Sequence, residues 1–171
     1  MKRNTATALL APMLALATLA APAVAQAQFR VGAQAGVEHL ARDGAHSTML
    51  QARAEFGVRV TRSLDLGGYA QYLVNTDMQG PGNGWGCGAL VTLRPMEDSP
   101  WAPLAYGSVG YQRAPEGAVF QSGVFFELGG GVAWRPLPVL DIELRGGFAG
   151  LAGGEQALTG FNAALAVSLH T

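Results

Sequence analysis

The chain has a single cysteine, Cys87, among 171 residues. No intramolecular disulfide can form, and a cysteine-based metal site has too few ligands. Charge is also scarce, at 13% of residues against roughly 25% in soluble domains, which implies that much of the surface does not face water. Lysine occurs only at position 2, so all nine basic residues beyond the first three are arginine. Eleven bases less Lys2 and Arg3 leave nine, against twelve acids, a balance of −3 that offers nucleic acid no basic face. After the first 27 residues no run approaches the ~18 consecutive apolar residues of a membrane-spanning helix. If the chain crosses a membrane, it does so without helices.

Residues 1–27 read as a cleavable secretory leader. Met1-Lys2-Arg3-Asn4 is a positive start, Leu9 to Ala20 an apolar stretch, and small residues frame Ala23-Val24-Ala25 and Ala25-Gln26-Ala27. The remaining 28–171 form one domain.

From Phe29 onward apolar residues recur with period two, the signature of strands with one apolar face. Eight such segments follow one another. The first runs from Phe29 to Glu38, the second from Leu50 to Val60, the third from Leu64 to Asn75 and the fourth from Trp85 to Arg94. A weaker fifth spans Ala105 to Gln112; the sixth spans Val124 to Arg135, the seventh Leu140 to Phe148 and the eighth Phe161 to His170. About ten residues is the length a tilted strand needs to cross a bilayer. Three connections, at Thr61–Ser63, Pro95–Pro100 and Pro136–Val139, read as the shorter set. Four others, around Arg42–Ser47, Thr76–Gly84, Arg113–Ser122 and Gly150–Gly160, are rich in Gly, Asp, Asn and Gln and read as longer loops. The pattern predicts an all-β fold: an eight-stranded antiparallel up-and-down barrel.

Three features put the apolar face outside. The polar phase mixes charges with glycine and alanine, as the narrow interior of an eight-stranded barrel requires. Its charges balance: Arg30, Arg53, Arg59, Arg94, Arg135 and Arg145 against Glu38, Glu55, Asp65, Glu127, Asp141 and Glu143. An enclosed set must come near neutrality, and arginine suits enclosed pairing with carboxylates. Aromatics on the apolar phase gather toward the segment ends: Phe29, Trp101 and Trp134 near the shorter turns, and Tyr72, Trp85, Tyr111, Phe126, Phe148 and Phe161 toward the longer loops. Two such belts mark the two membrane interfaces.

With these segments, and runs such as Gly129-Gly130-Gly131-Val132-Ala133-Trp134-Arg135-Pro136, the chain resembles the small eight-stranded outer-membrane barrels of the OmpA/OmpX type. Members commonly end in an aromatic; here the last residues are Leu169-His170-Thr171. The resemblance implies a Gram-negative outer membrane, contact with outer-membrane lipid, insertion by the barrel-assembly machinery, a monomer, and a structural or surface-interaction role without catalysis or cofactor. Some barrels of this kind modify lipids, so a triad is worth seeking. Ser168 and His170 share a face, with Asp65 or Asp141 near that end, but they fall on the end away from the longer loops. His39 and His46 flank Asp43 without a metal-ligand spacing and read as part of a solvated loop. Two alternatives stand beside the leading reading: a lipid-modifying barrel enzyme, and a soluble periplasmic barrel holding an apolar ligand.

Overall fold

The computed structural model describes residues 28–76, 82–96, 99–115, 122–153 and 156–171. Residues 1–27, read above as a leader, lie outside the described residues, as do 77–81, 97–98, 116–121 and 154–155. The described chain forms eight strands: β1 (Phe29–Arg42), β2 (Ala45–Thr61), β3 (Leu64–Asn75), β4 (Gly82–Leu93), β5 (Trp101–Arg113), β6 (Gly123–Leu137), β7 (Leu140–Gly153) and β8 (Gln156–His170). Each pairs antiparallel with the next, and β8 returns to β1, closing an up-and-down barrel. The closing seam pairs Arg30 with His170 and Ala41 with Thr159, so both ends of the described chain lie at one rim. Closure leaves no strand edge open to another chain, which every membrane-spanning sheet requires.

The strands are 12 to 17 residues long, and all but β3 exceed the alternating segments. β5 gains Trp101–Leu104 at the short-turn end, whereas most of the excess lies at the loop end. There the stretch around Arg42–Ser47 is a two-residue hairpin turn rather than a loop: Arg42 pairs with Ala45, and Asp43 and Gly44 take φ of 48° and 83°. Two successive positive φ values define a type I′ turn, for which Asp-Gly is a preferred pair. The stretch at Gly150–Gly160 is likewise largely strand, with β7 reaching Gly153 and β8 starting at Gln156. Its glycine content reflects packing: a Cβ at Gly150 would come within 2.2 Å of the Phe126 ring lying over it. The remaining connections at that end, 76–81 and 114–122, are longer.

At the opposite end β2 and β3 are joined through Arg62-Ser63, and β6 and β7 through Pro138-Val139, with register irregularities just before both turns. The third connection there, residues 94–100, follows a short ladder: β4 pairs with β5 only as far as Leu93 opposite Ala105. Pro103, which has no N–H to donate, stands on β5 where β4 has already ended.

Side-chain direction follows the period-two pattern in all eight strands. Val31, Leu50, Phe56, Leu128, Leu144 and Leu165 are exposed on the outer wall, and Leu128 and Leu144 show 69% and 66% of their surface. Arg30, Gln34, Gln51, Arg53, Gln71, Glu127 and Asn162 are buried inside. A water-soluble barrel holding an apolar ligand needs the reverse arrangement. The wall is instead built for lipid: this is a transmembrane β-barrel fold with no helix among the described residues.

The period persists past the membrane band, but its polarity inverts. Toward the long-loop end the inward positions become Leu40, Met49, Leu73, Phe125, Leu151 and Leu158, which form a buried apolar cluster. The outward positions there become polar, including His39, His46, Asn83 and Thr159. That end of the barrel is organised like a water-soluble protein, with its own small core.

Candidate functional site

Among the described residues, charged and polar side chains converge in the lumen. Period-two alternation sends every second residue inward, and all twelve charged residues expected there lie on that phase. Ten are buried; Arg59 and Arg135, near the short-turn rim, are partly so.

Nearer that rim, two carboxylates gather four arginines. Asp65 on β3 pairs with Arg94, accepts from Arg59 Nε at 3.2 Å, and lies 3.6 Å from Arg30 Nη1. Glu143 on β7 pairs with Arg30 and accepts from Arg94 Nη2 at 2.8 Å and from Arg145 Nε at 2.8 Å. Arg145 also spans the barrel to Glu55 on β2 as a two-pronged pair, with contacts of 2.7 and 2.9 Å. Its Nη1 reaches Gln34 Oε1 at 3.1 Å. At the rim itself Arg135 Nε donates to Asp141 Oδ1 at 2.8 Å.

Above this group the lining changes from charge to amide. Gln34 donates to Gln51, Gln51 to Gln71, Gln71 to Gln112, and Gln112 to Glu38, over 3.3, 2.6, 2.9 and 3.1 Å. The chain of amides leaves β1, crosses β2, β3 and β5, and comes back to β1 at Glu38. Arg53 Nη2 bridges Gln71 Oε1 and Glu127 Oε2, both at 2.8 Å. Glu127 also accepts from Ser108 at 3.1 Å and pairs with Asn162, which in turn accepts from the Tyr106 hydroxyl at 3.1 Å. Two arginines lie over tyrosine rings: Arg53 at 4.4 Å from the centroid of Tyr69, and Arg145 at 5.4 Å from that of Tyr106. Glu38 stands apart from the other eleven. It is fully buried, and its hydrogen bond goes to Gln112 rather than to an arginine.

The amides and tyrosines are site residues that a search for charges passes over. Their signal was present: each sits on the same phase as the arginines. What periodicity does not encode is which side chain meets which across the lumen.

Among the described residues, a cavity beside Arg30, Glu55, Asp65 and Thr92 measures about 10 Å³, room for about one water. The apolar cluster at the long-loop end lies above the amides. An eight-stranded barrel has an interior just wide enough for side chains to fill, and here they fill it.

The serine and histidine considered for acyl transfer do not meet. Ser168 Oγ accepts from Arg30 Nη2 at 2.8 Å and lies 3.5 Å from Glu143 Oε1. His170 Nε2 lies 2.7 Å from the Pro138 carbonyl oxygen, and Nδ1 lies 3.7 Å from Asp141 Oδ2. Among the described residues no hydrogen bond joins Ser168 to His170. His39 and His46 stand on paired strands, not in a loop, and their rings stack at 5.8 Å. No group of three or more metal-ligating side chains is found among the described residues.

The nine aromatics singled out in the sequence all face outward. Trp101 and Trp134 stack at 5.8 Å across β5 and β6 near the short-turn end, where Phe29 is also exposed. Toward the other end Tyr72 is paired with Trp85 in register, Trp85 lies 6.0 Å from Tyr111, and Phe126 lies 6.2 Å from Phe148. Phe148 pairs with Phe161, and His39 continues the row at 5.2 Å from Phe161.

No family model and no curated protein sequence matches the chain. Solved structures do match in shape. Neisserial surface protein A aligns with a TM-score of 0.67 and 15% identity, over 82% of this chain and 96% of that one. The N-terminal β-barrel domain of Pseudomonas aeruginosa OprF aligns with a TM-score of 0.53 and 14% identity, over 84% and 97%. At such identity the likeness speaks for architecture alone. This chain has the fold of the small eight-stranded outer-membrane β-barrels.

Proposed function

We propose that the protein is a non-enzymatic outer-membrane barrel that stabilises the envelope or presents its loop end to surface partners. The observation that carries this reading is the lining of the lumen: paired charges and amides below and a buried apolar cluster above. Such an interior rigidifies the wall and leaves no path for solutes. A general porin needs about sixteen strands to keep an aqueous channel. Ser168 and His170 are each engaged elsewhere, which supports a structural reading over acyl transfer.

In this reading the leader directs export, the barrel-assembly machinery inserts the chain, and the lipid of the outer membrane surrounds it as a monomer. The test is to express the full chain in a Gram-negative host with an epitope in the β5–β6 connection. Staining of intact cells, enrichment in the outer-membrane fraction and an unchanged lipid A profile support the proposal. Retention in the soluble periplasm contradicts its location, and a shortened or lengthened set of lipid A acyl chains contradicts its lack of catalysis.

A further inference from the structure

The outer wall is almost free of ionisable bases. On the outward phase of the eight strands, among the described residues, bases occur only at His39, His46 and Arg113, all at the long-loop end. Two of the three stand side by side. His39 on β1 is held from three directions: Nδ1 lies 3.1 Å from Thr48 Oγ1, and the ring lies 5.2 Å from Phe161 and 5.8 Å from His46. Beside them opens a depression of about 580 Å³ whose lining includes His39, Arg42, His46 and Thr159. One outward position below His39 and Thr159 stand Val37 on β1 and Phe161 on β8.

The donors define what fits. Imidazole N–H groups, a guanidinium and a threonine hydroxyl suit an anion bearing several oxygens. Asp43, the acid in the lining, is exposed and accepts from Arg42 Nε at 3.0 Å, which partly offsets its charge and leaves the two imidazoles as the donors nearest the wall. Just below, Phe161 and Val37 offer an apolar surface on which acyl chains can lie. A molecule with a phosphate at that height and hydrocarbon beneath it is a membrane lipid.

We propose that His39 and His46, with Arg42 above them, seat the phosphate of a lipid in the loop-side leaflet. The proposal rests on the barrel lying in a membrane, which the mobility shift of unboiled protein on SDS gels tests separately. The direct experiment is native mass spectrometry of the purified barrel in neutral detergent. Dimyristoyl phosphatidic acid and dimyristoylglycerol are offered in turn, lipids with the same chains that differ by the phosphate. The wild type is expected to retain the phosphatidic acid about ten-fold more tightly, and the H39A/H46A double variant to lose that preference. Arg113→Ala, on the far strand, is expected to keep it.

Equal retention of the two lipids by the wild type overturns the site, as does a preference that survives in the double variant. Histidine ring resonances of the wild-type barrel give a second readout that needs no variant to fold. They should shift with phosphatidic acid and stay still with dimyristoylglycerol. A shift of equal size with inorganic phosphate alone overturns the lipid assignment in favour of a soluble anion.

Discussion

Arg145 and Glu55 face each other across the lumen, 90 residues apart in sequence, with Nη1 2.7 Å from Oε1 and Nη2 2.9 Å from Oε2. The pair ties β7 to β2, strands that share no ladder, so it braces the barrel across its width. A planar guanidinium matched to a carboxylate in this fashion is the strong form of ion pair.

Breaking that brace from one side leaves a charge buried without its partner. Glu55→Ala or Arg145→Ala should each cost about 3–5 kcal/mol of folding stability in lipid vesicles, read by urea titration of tryptophan fluorescence. Replacing both residues with apolar side chains of similar volume should cost far less than either single change. If both single variants unfold with the wild-type midpoint, the pair is not a brace.

On the outer wall the cost of a charge depends on depth. Leu144 lies between the Trp134 and Phe148 levels, whereas Leu137 is at the end of β6 by the short turn. Leu144→Arg should destabilise by about 2–4 kcal/mol and Leu137→Arg by about 0–1 kcal/mol in the same titration. Equal effects at the two positions would mean that the wall does not sit in hydrocarbon.

The apolar cluster and the polar network make separable contributions. Phe125 is fully buried at the long-loop end, so Phe125→Ala should cost about 3–5 kcal/mol. It should nevertheless leave the barrel non-conducting in planar bilayers, because the amides and ion pairs beneath still fill the lumen. Steady currents through the variant, with none through the wild type, would make the apolar cluster the sole seal.

Cys87 is exposed on the outer wall of β4, one outward position from Trp85. In vesicles it should react slowly with a charged, membrane-impermeant thiosulfonate and rapidly once the chain is unfolded in urea, because hydrocarbon excludes the reagent and disfavours the thiolate. Comparable rates in the two states would place this stretch of β4 in water.

The inward and outward phases were legible because hydrophobic alternation is a local property. Arg30, Gln34 and Glu38 announce one face of β1 whatever lies across the barrel. The strand ends were less so, because the alternation inverts there. Past Glu38 the inward residue is Leu40 and the outward one His39, so a reading that follows one polarity stops too early. The Asp43-Gly44 pair carries a local hairpin signal, whereas the composition around it reads as a loop. Pairings such as Arg145 with Glu55, or Arg53 with Glu127, are set by closure of the sheet, and no local pattern carries them. His39 and His46 illustrate both points: read as loop residues, they prove to be diagonal neighbours on paired strands.

The central feature of this molecule is a closed barrel with a polar filling and a lipid-facing wall. Heat-modifiability tests that most directly: the membrane-extracted protein is run on SDS gels, with and without boiling. The account predicts faster migration of the unboiled sample, because a closed ladder resists the detergent until heated. Identical mobility of the two samples, with the protein recoverable from the soluble fraction without detergent, would contradict it.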